Sequence, residues 1–392
     1  MPSTMPSRNT SANHKPTVKP PNPMPIMKPV KTGEPSLSNK VPMELQQLLL
    51  LLFRNTFAPH FDSRFPAIVQ QIKQHLFNRD FNNAFAHQSF REAYAMRWSP
   101  NRALAYTHIF CHVLSKYPLE AGDPERDSQE LPLATSHAQS LSTKQIVCIG
   151  GGAGAELVAL GGYLHMIAHS SANLNNIDPE HNSKRSPPSF AIKAIDIAGW
   201  STVLKELHSC MTAAPPISDY SSSAAKVANA ALISPAACTL DFMQQDVLKM
   251  RNEDLATGFT DAVLVTLMFT LNELYSTSIS STTTLLLSLT MLLAPGALLL
   301  VVDSPGSYST INIGGTSSTD DGGTRRRYPM QWLLDHTLLE SAAIGTSKNA
   351  SAERQWEKLE TKESEWFRLS TELRYPVSLE DMRYQLHLYR RL

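Results

Sequence analysis

The sequence has few cysteines and no excess of either charge. Only four of its 392 residues are cysteine, and no two of them form a CxxC pair, which argues against a zinc site and indicates a reducing compartment. Lysine plus arginine and aspartate plus glutamate each number 35, so the net charge points to neither an acidic nor a basic partner. The first residues contain no apolar run of the kind that a signal peptide has.

The sequence also lacks an uninterrupted membrane span. Residues Leu285–Val302 are strongly apolar, but Pro295-Gly296 divides them into about ten residues of helix pattern and about seven of strand pattern. Neither part could cross a hydrocarbon core of about 30 Å. We therefore predict a buried helix followed by a buried strand, and no membrane association.

Residues 1–40 have few large apolar side chains. They hold nine prolines and six basic residues against one acidic residue, and we predict a disordered tail. Such a tail could hold RNA loosely or act as a nuclear address, or it could have no specific role. After it we expect a helical region at 41–118, a polar linker at 119–143 and an α/β domain at 144–392. Low-complexity insertions fall at about 170–188, 212–237 and 309–324.

A possible contact for RNA lies in the helical region, at RWSPNRALAY. Ser99 is a suitable N-cap and Pro100 a suitable first helical residue, so we predict that a helix begins here. Trp98 and Arg102 beside a helix start could stack on a base and meet a phosphate. The alternative is a capped helix whose arginines are solvated.

The stretch Gln145–Leu157, QIVCIGGGAGAEL, has the pattern of a nucleotide-binding corner. Ile146–Ile149 reads as a buried strand, four glycines follow in a tight turn, and Glu156 opens an apolar helix. Glycines allow a ligand to approach the backbone closely. The spacing of Gly150, Gly152 and Gly154 is GxGxG, which differs from the GxGxxG of dinucleotide-binding folds.

Two further predicted strands end at acidic residues. Ser189–Ile197 ends at Asp196, where nucleotide-binding α/β folds place a carboxylate that binds ribose hydroxyls. Thr239–Leu248 runs into Asp246, which could reach an adenine amino group or could simply be a turn residue.

Polar residues also follow the next two strands. Asp261–Phe269 is apolar throughout, as in a parallel sheet buried on both faces, and it leads into Thr270–Tyr275. Ala297–Asp303 ends in a second polar segment. Ligands bind beyond the carboxyl ends of strands in such sheets, so these segments are candidate sites.

The end of the chain has two patterns. The charged segment Glu353–Glu365 is predicted as a surface helix, and Asp381–Leu392 alternates like an edge strand. Together the elements predict a doubly wound, mostly parallel sheet whose first half binds an adenosine-containing cofactor. A nicotinamide dinucleotide and S-adenosylmethionine both fit, and the GxGxG spacing favours S-adenosylmethionine.

Several segments resemble one family. They are RWSPNRALAY, IGGGAGAEL, IDIAGW, QQDVL, TLMFTLNELYSTS, VVDSPGSYS, YPMQWLLDHTLL, SEWFR and LEDMRYQLHLYRRL. They resemble the fungal S-adenosylmethionine-dependent large-subunit (25S) rRNA uridine-N3 methyltransferases over Trp98 to Leu392. The resemblance implies the class I methyltransferase fold, a Rossmann-like α/β sheet of seven strands, with an N-terminal helical extension.

The resemblance also implies a cofactor site. Many such enzymes have an acidic residue two positions before the first glycine, where this sequence has Cys148, and Glu156 could take over part of that role. The implied cofactor-binding residues are Gly150, Gly151, Gly152, Gly154, Glu156, Asp196, Ile197, Asp246, Val247 and Thr270.

The implied reaction sets requirements on the substrate side. Uridine N3 lies on the pairing edge and carries a proton, so the base must be unpaired and a proton acceptor must be near. Glu273 and then Asp303 are our candidates for this general base, and Asn272 could hold a carbonyl of the base. The implied substrate-binding residues are Trp98, Arg102, Tyr275 and Tyr308.

The resemblance finally implies a binding partner and a cellular location. Ribosomal RNA or a pre-ribosomal particle would be the partner of a monomeric, metal-free enzyme of ribosome biogenesis in the nucleus or nucleolus. The alternatives are a methyltransferase of a protein or small molecule, a non-catalytic assembly factor that keeps the fold, and more distantly a nicotinamide oxidoreductase.

Overall fold

The computed structural model describes residues 41–119, 143–175, 188–215, 217–306, 308–312, 325–341 and 354–392. The predicted disordered tail and nearly all of the predicted linker lie outside these residues. The helical region comes first and has four helices. They are α1 (Met43–Thr56), α2 (Phe65–Phe77), α3 (Phe81–Ala84) and α4 (Gln88–Lys116).

A seven-stranded sheet forms the centre of the protein. Its strands are β1 (Lys144–Ile149), β2 (Phe190–Asp196), β3 (Cys238–Gln244), β4 (Ala262–Met268), β5 (Leu298–Asp303), β8 (Trp356–Phe367) and β9 (Met382–Arg391). A separate two-stranded ribbon follows the fifth strand. It consists of β6 (Tyr308–Asn312) and β7 (Arg325–Pro329).

Helices alternate with the strands along the chain. They are α5 (Ala155–Asn175), α6 (Ser201–Thr212), α7 (Ser223–Ala228), α8 (Asn252–Phe259), α9 (Leu271–Thr277), α10 (Ile279–Leu292) and α11 (Met330–Asp335). The strand order is β3-β2-β1-β4-β5-β9-β8. Strand β9 runs in the opposite direction to the other six strands, which all point the same way. The order reverses between β1 and β4, where open α/β sheets bind their ligands.

Apolar side chains fill both faces of the sheet. In β1, Ile146 and Cys148 join one buried cluster, while Val147 and Ile149 join the other. Residues of α1, α2 and α4 belong to the first cluster, so the N-terminal helices share a core with the sheet. This explains why the parallel strands read as continuous apolar runs.

The apolar segment Leu285–Val302 is divided as predicted. Helix α10 ends at Leu292 and strand β5 begins at Leu298, and Gly296 between them has φ 88°. Within the described ranges, no helix has the length and apolar character needed to cross a bilayer.

At the end of the chain, the predicted helix was wrong, and the predicted strand was confirmed but its position at the edge of the sheet was wrong. The charged segment predicted as a helix is strand β8, and the strand predicted at the edge, β9, lies between β5 and β8. Gln385 and His387, which occupy polar positions of the alternation, are buried together with Tyr384, Leu386 and Leu388. The charges of β8 suit an exposed edge strand, because they oppose pairing with another chain.

The predicted helix start at Ser99 and Pro100 was also wrong, because both residues lie inside the 29-residue helix α4. A proline within a helix leaves the carbonyl four residues earlier without its N–H partner. Here that carbonyl belongs to Met96, and the Tyr375 hydroxyl donates to it at 3.0 Å. A tertiary contact thus replaces the missing helical hydrogen bond.

The three predicted insertions are only partly described. Helix α5 continues into the first, to Asn175, and β6 occupies the start of the third. The second, predicted as a loop, contains α7 and a short 3-10 turn at Pro235–Ala237. Residues 176–187 and 313–324 lie outside the described structure.

Candidate functional site

The glycine turn after β1 has a backbone that side chains would not tolerate. Gly150 and Gly154 have φ values of 77° and 80°, in the left-handed region. A Cβ atom on Gly150 would lie 2.3 Å from Thr270 Oγ1, beyond the end of β4. Its N–H donates to Ile195 O at 2.8 Å, which holds the turn against β2. The turn is therefore enclosed by the ends of β2 and β4.

Asp196, at the end of β2, holds the turn from the other side. Its carboxylate accepts hydrogen bonds from Gly152 N at 3.2 Å and Ala198 N at 3.1 Å. Burial raises its pKa to about 6, although these N–H donors act in the opposite direction. A Cβ atom on Gly152 would lie 2.1 Å from the Trp200 ring, so glycine is required at this contact.

A groove of about 320 Å³ lies beside Asp196. Residues after β2 and the last residue of β3 form one wall, and α3 with the segment that leads into α4 forms the other. Its lining residues are Phe81, Asn82, Phe85, Ala86, Arg91, Ile197, Ala198, Gly199 and Gln244. Ile197 is 54% exposed, so an apolar surface is available there. The volume and the aromatic walls suit a flat heterocycle next to a carboxylate.

Glu156 lies beneath the glycine turn and is only 3% exposed. Its Oε1 accepts a hydrogen bond from Thr266 Oγ1 at 2.5 Å. Burial raises its pKa to about 8, so the carboxyl group is mostly protonated at neutral pH. In this position Glu156 supports the turn from within the core, and its direct contact with a cofactor stays a prediction.

Asp246 and Val247 follow β3 but point to different surroundings. The Asp246 carboxylate caps a 3-10 turn, accepting from Leu248 N at 3.1 Å, and pairs with Lys249 at 2.9 Å. Val247 is packed in the second buried cluster. Contacts of these residues with adenine stay predictions.

Helix α4 crosses the carboxyl ends of the strands. Ser99 Oγ donates to Ala153 O in the glycine turn at 2.7 Å, which fixes the helix there. Four residues at intervals of four share this helix face, as α-helical geometry requires. They are Tyr94, Trp98, Arg102 and Tyr106.

The face defined by these four residues contacts several strand ends. The ring centroids of Tyr94 lie 4.8 Å from Trp98 and 5.8 Å from Trp200, which follows β2. The Arg102 guanidinium lies 5.3 Å from the ring centre of Phe269, which follows β4. The structure thus brings two predicted substrate-binding residues, Trp98 and Arg102, to the predicted site.

Polar groups meet where β4 and β5 end. Asp303 is 2% exposed, and its carboxylate accepts hydrogen bonds from Asn272 N at 3.0 Å and Ser304 N at 2.7 Å. Burial raises its pKa to about 6, against the effect of these N–H groups. The Asn272 side-chain oxygen is buried and accepts no hydrogen bond from the described residues. A role of this oxygen in holding a carbonyl of the base stays a prediction.

Glu273, our first candidate for the general base, lies at the surface. Both of its carboxylate oxygens accept hydrogen bonds from Arg79 Nη2, each at 3.1 Å. The side chains of Arg79 and Glu273 are 54% and 39% exposed. Glu273 is therefore engaged in a surface ion pair.

Tyr275 cannot stack on a substrate, and that prediction was wrong. Its side chain is 2% exposed and belongs to the second buried cluster. The sequence placed it beyond a strand end, but α9 begins at Leu271 and turns this residue inwards. Tyr308 begins β6, and its side chain lies outside the described part of the structure.

Phe269 is the residue of the site that sequence reasoning missed. It has φ 57°, a strained conformation for a bulky side chain, and its N–H donates to Val302 O at 2.7 Å. Its ring stacks on Tyr106 with centroids 6.5 Å apart. No sequence pattern signals a left-handed phenylalanine, because glycine or asparagine is the usual residue there.

The strand order, the glycine turn and the acidic end of β2 define a class I S-adenosylmethionine-dependent methyltransferase, as predicted. The residues fit this cofactor, because the Asp196 carboxylate lies between the turn and the aromatic groove. The described ranges contain no group of three or more histidine, cysteine, aspartate or glutamate side chains that could hold a metal ion.

Comparisons with known proteins agree with this class. Residues 53–390 match the family described as "Putative SAM-dependent methyltransferase", and the chain belongs to this family. The chain is 30% identical over 377 residues to the 25S rRNA (uridine(2843)-N(3))-methyltransferase of Saccharomyces cerevisiae, covering 93% of this chain and 90% of that protein.

Solved structures are more distant. A SAM-dependent methyltransferase from Methanosarcina mazei is 10% identical with a TM-score of 0.31, covering 64% of this chain and 93% of that one. An O-methyltransferase family protein from Burkholderia thailandensis is 12% identical with a TM-score of 0.31, covering 78% and 61%. TM-scores this low do not support any conclusion about the site.

Proposed function

We propose that this protein transfers a methyl group from S-adenosylmethionine to N3 of a uridine in large-subunit ribosomal RNA. The observation that carries the proposal is the 30% identity to the yeast rRNA uridine-N3 methyltransferase over 93% of this chain and 90% of that enzyme. A similarity of that extent is not limited to the cofactor half of the fold.

The proposal assigns the cofactor to the glycine turn and the groove. Asp196 would bind the ribose hydroxyls, and the groove beside Ile197 and Phe85 would hold the adenine. When bound, the cofactor supplies an electrophilic methyl group on a sulfonium. Because such a displacement needs alignment above all, the chain's main task is to position the uridine in line.

Asp303 is the better candidate for the general base. Its raised pKa of about 6 lets it be ionised at neutral pH and still accept a proton, whereas Glu273 is held by Arg79. The Asn272 backbone N–H donates to this carboxylate at 3.0 Å and so fixes its position at the end of β5. Trp98 offers a partly buried ring on which an unpaired base could stack.

We further propose that the partner is ribosomal RNA or a pre-ribosomal particle and that the enzyme works as a monomer in ribosome biogenesis. The basic residues of 1–40 support a nuclear or nucleolar location, since such segments serve as nuclear addresses or RNA contacts. Deleting 1–40 from a fluorescent fusion should then reduce nuclear accumulation without changing methylation of purified RNA.

The direct test uses purified protein, large-subunit rRNA and isotopically labelled S-adenosylmethionine. After nuclease digestion, mass spectrometry should find the label in 3-methyluridine at one position, and calorimetry should show cofactor binding. Asp303→Asn should bind the cofactor normally and form product about 100-fold more slowly, while Glu253→Gln, at an 88% exposed side chain, should match the wild type.

The same experiment separates the alternatives. Label in protein or in a small metabolite, with none in RNA, would indicate another methyltransferase substrate. Absence of cofactor binding would indicate a non-catalytic assembly factor, and binding of a reduced nicotinamide dinucleotide would indicate an oxidoreductase.

A further inference from the structure

Arg102 is a cation at the centre of the proposed substrate site with unused hydrogen-bond donors. Its Nη1 donates to the Tyr94 hydroxyl at 2.6 Å. Guanidinium has five N–H donors, and the described residues provide no other acceptor for them. The charge also lies over the rings of Tyr94 and Phe269, at 5.8 and 5.3 Å.

The surroundings of Arg102 keep it charged. Tyr94 and Tyr106 face it from its own helix, and Asp303 faces it from the end of β5. Burial works against the charge, but these neighbours outweigh it, and the pKa of Arg102 lies above its ordinary value. The cation in turn acts to lower the pKa of Asp303. The Arg102 cation and the Asp303 carboxylate therefore interact electrostatically.

The reaction needs both groups for different reasons. Methyl transfer requires that uridine N3 lose its proton, and the negative charge that results is shared with the two carbonyl oxygens beside N3. A carboxylate can take the proton but repels that charge. A cation with free donors stabilises it, and preorganised donors of this kind contribute strongly to catalysis.

We propose that the Arg102 guanidinium donates hydrogen bonds to a uracil carbonyl oxygen next to N3 and stabilises the uridine anion from which N3 is methylated. This role rests on the proposed function. The Asp303 carboxylate takes the N3 proton, and the N3 electron pair forms the bond to the methyl carbon. The electron pair of the broken carbon–sulfur bond stays on sulfur, leaving S-adenosylhomocysteine. The proton passes from Asp303 to solvent.

Phe269 and Tyr94 position this cation. Their rings lie against the guanidinium, and the left-handed backbone of Phe269 directs its ring towards α4. They act through Arg102 and are positioning residues. Phe269→Leu should therefore reduce turnover less than Arg102→Gln and leave cofactor affinity unchanged.

The test compares Arg102→Gln and Arg102→Lys with the wild type on two RNAs, one with uridine and one with 5-fluorouridine at the target. Fluorine makes N3 more acidic, so the anion forms with less help. On uridine RNA, Arg102→Gln should lower kcat about 100-fold, the usual scale for losing one such donor. On 5-fluorouridine RNA the loss should shrink to less than about 10-fold.

Three further readouts complete the experiment. The kcat loss on uridine RNA should diminish as pH rises, Arg102→Lys should retain part of the activity, and affinities for RNA and cofactor should change less than threefold. Arg64→Gln, at an 81% exposed arginine, serves as the control and should behave as the wild type. Circular dichroism confirms that each variant is folded.

The outcomes separate the two proposals. Equal losses on both RNAs with an unchanged pH profile, in an enzyme whose wild type makes 3-methyluridine, overturn the role of Arg102 alone. Loss of RNA affinity with unchanged kcat overturns it as well, because Arg102 would then be a phosphate contact. A wild type that makes no 3-methyluridine overturns the proposed function itself.

Discussion

The hydroxyl of Tyr375 should stabilise the protein because of the proline inside α4. It donates to the Met96 carbonyl at 3.0 Å, the carbonyl that Pro100 leaves without a helical partner. Tyr375→Phe keeps the ring, which contacts Phe61 edge-on at 5.9 Å, and removes only the donor. Leaving a buried carbonyl unsatisfied costs about 1–3 kcal/mol of the free energy of unfolding.

The link to the proline can be isolated by a double-mutant cycle. Pro100→Ala restores an N–H four residues after Met96, so the carbonyl gains a helical partner and no longer depends on Tyr375. In this background Tyr375→Phe should cost about 1 kcal/mol less than in the wild type, a coupling typical of groups that share a partner.

The assay is urea unfolding followed by circular dichroism, with linear extrapolation to water. Tyr220→Phe, at a 98% exposed tyrosine, is the control and should leave the free energy of unfolding within about 0.5 kcal/mol of the wild type. Tyr375→Phe could lower the free energy of unfolding by the same amount in the wild type and in the Pro100→Ala variant. That result would refute the argument that the hydroxyl replaces the missing helical bond.

Three further predictions concern the site. Gly150→Ala and Gly296→Ala should each lower the free energy of unfolding by about 1–2 kcal/mol, because both positions have a left-handed backbone. Only Gly150→Ala, whose new Cβ atom collides with Thr270, should also weaken cofactor binding in calorimetry. The wild-type methylation rate should rise with pH through about 6 as Asp303 ionises, and Asp303→Asn should lower kcat about 100-fold at unchanged cofactor affinity; a flat profile would contradict this role. Because the folded pKa of Glu156 is about 8 against 4.5 ordinarily, its stabilising effect is fully present below pH 4.5 and is lost as pH rises through 8. Stability should therefore decline between pH 6 and 8 by at most about 1.4 kcal/mol per pH unit, and Glu156→Gln should abolish this decline in urea titrations at several pH values.

The first five strands of the sheet could be predicted from local patterns, because apolar residues recur along each strand and a glycine or polar residue ends it or follows within two positions. Asp196 and Asp303 come directly after such runs, and parallel topology brings their strand ends to one edge. The glycine turn was recognisable for the same reason, since its spacing reflects a backbone requirement.

The errors have a common cause, which is that contacts distant in sequence override local patterns. Pro100 has the local pattern of a helix start. It lies inside α4 because Tyr375, distant in sequence, donates to the Met96 carbonyl that the proline leaves without a helical partner. Strand β8 is charged like a surface helix, and only its pairing with β9 makes it a strand. The strained Phe269 has no local signal, because its conformation depends on Val302 and α4.

In the proposed complex, the single helix α4 borders the sites of both ligands. Arg91 lines the groove assigned to adenine, and Arg102, eleven residues later and about 16 Å further along the axis, reaches the space assigned to uracil. Tilting or sliding the helix to admit a different nucleobase would also disturb the pocket for the methyl donor. A change of specificity in this fold therefore has to come from exchanging individual side chains along the helix, with its path across the sheet left intact.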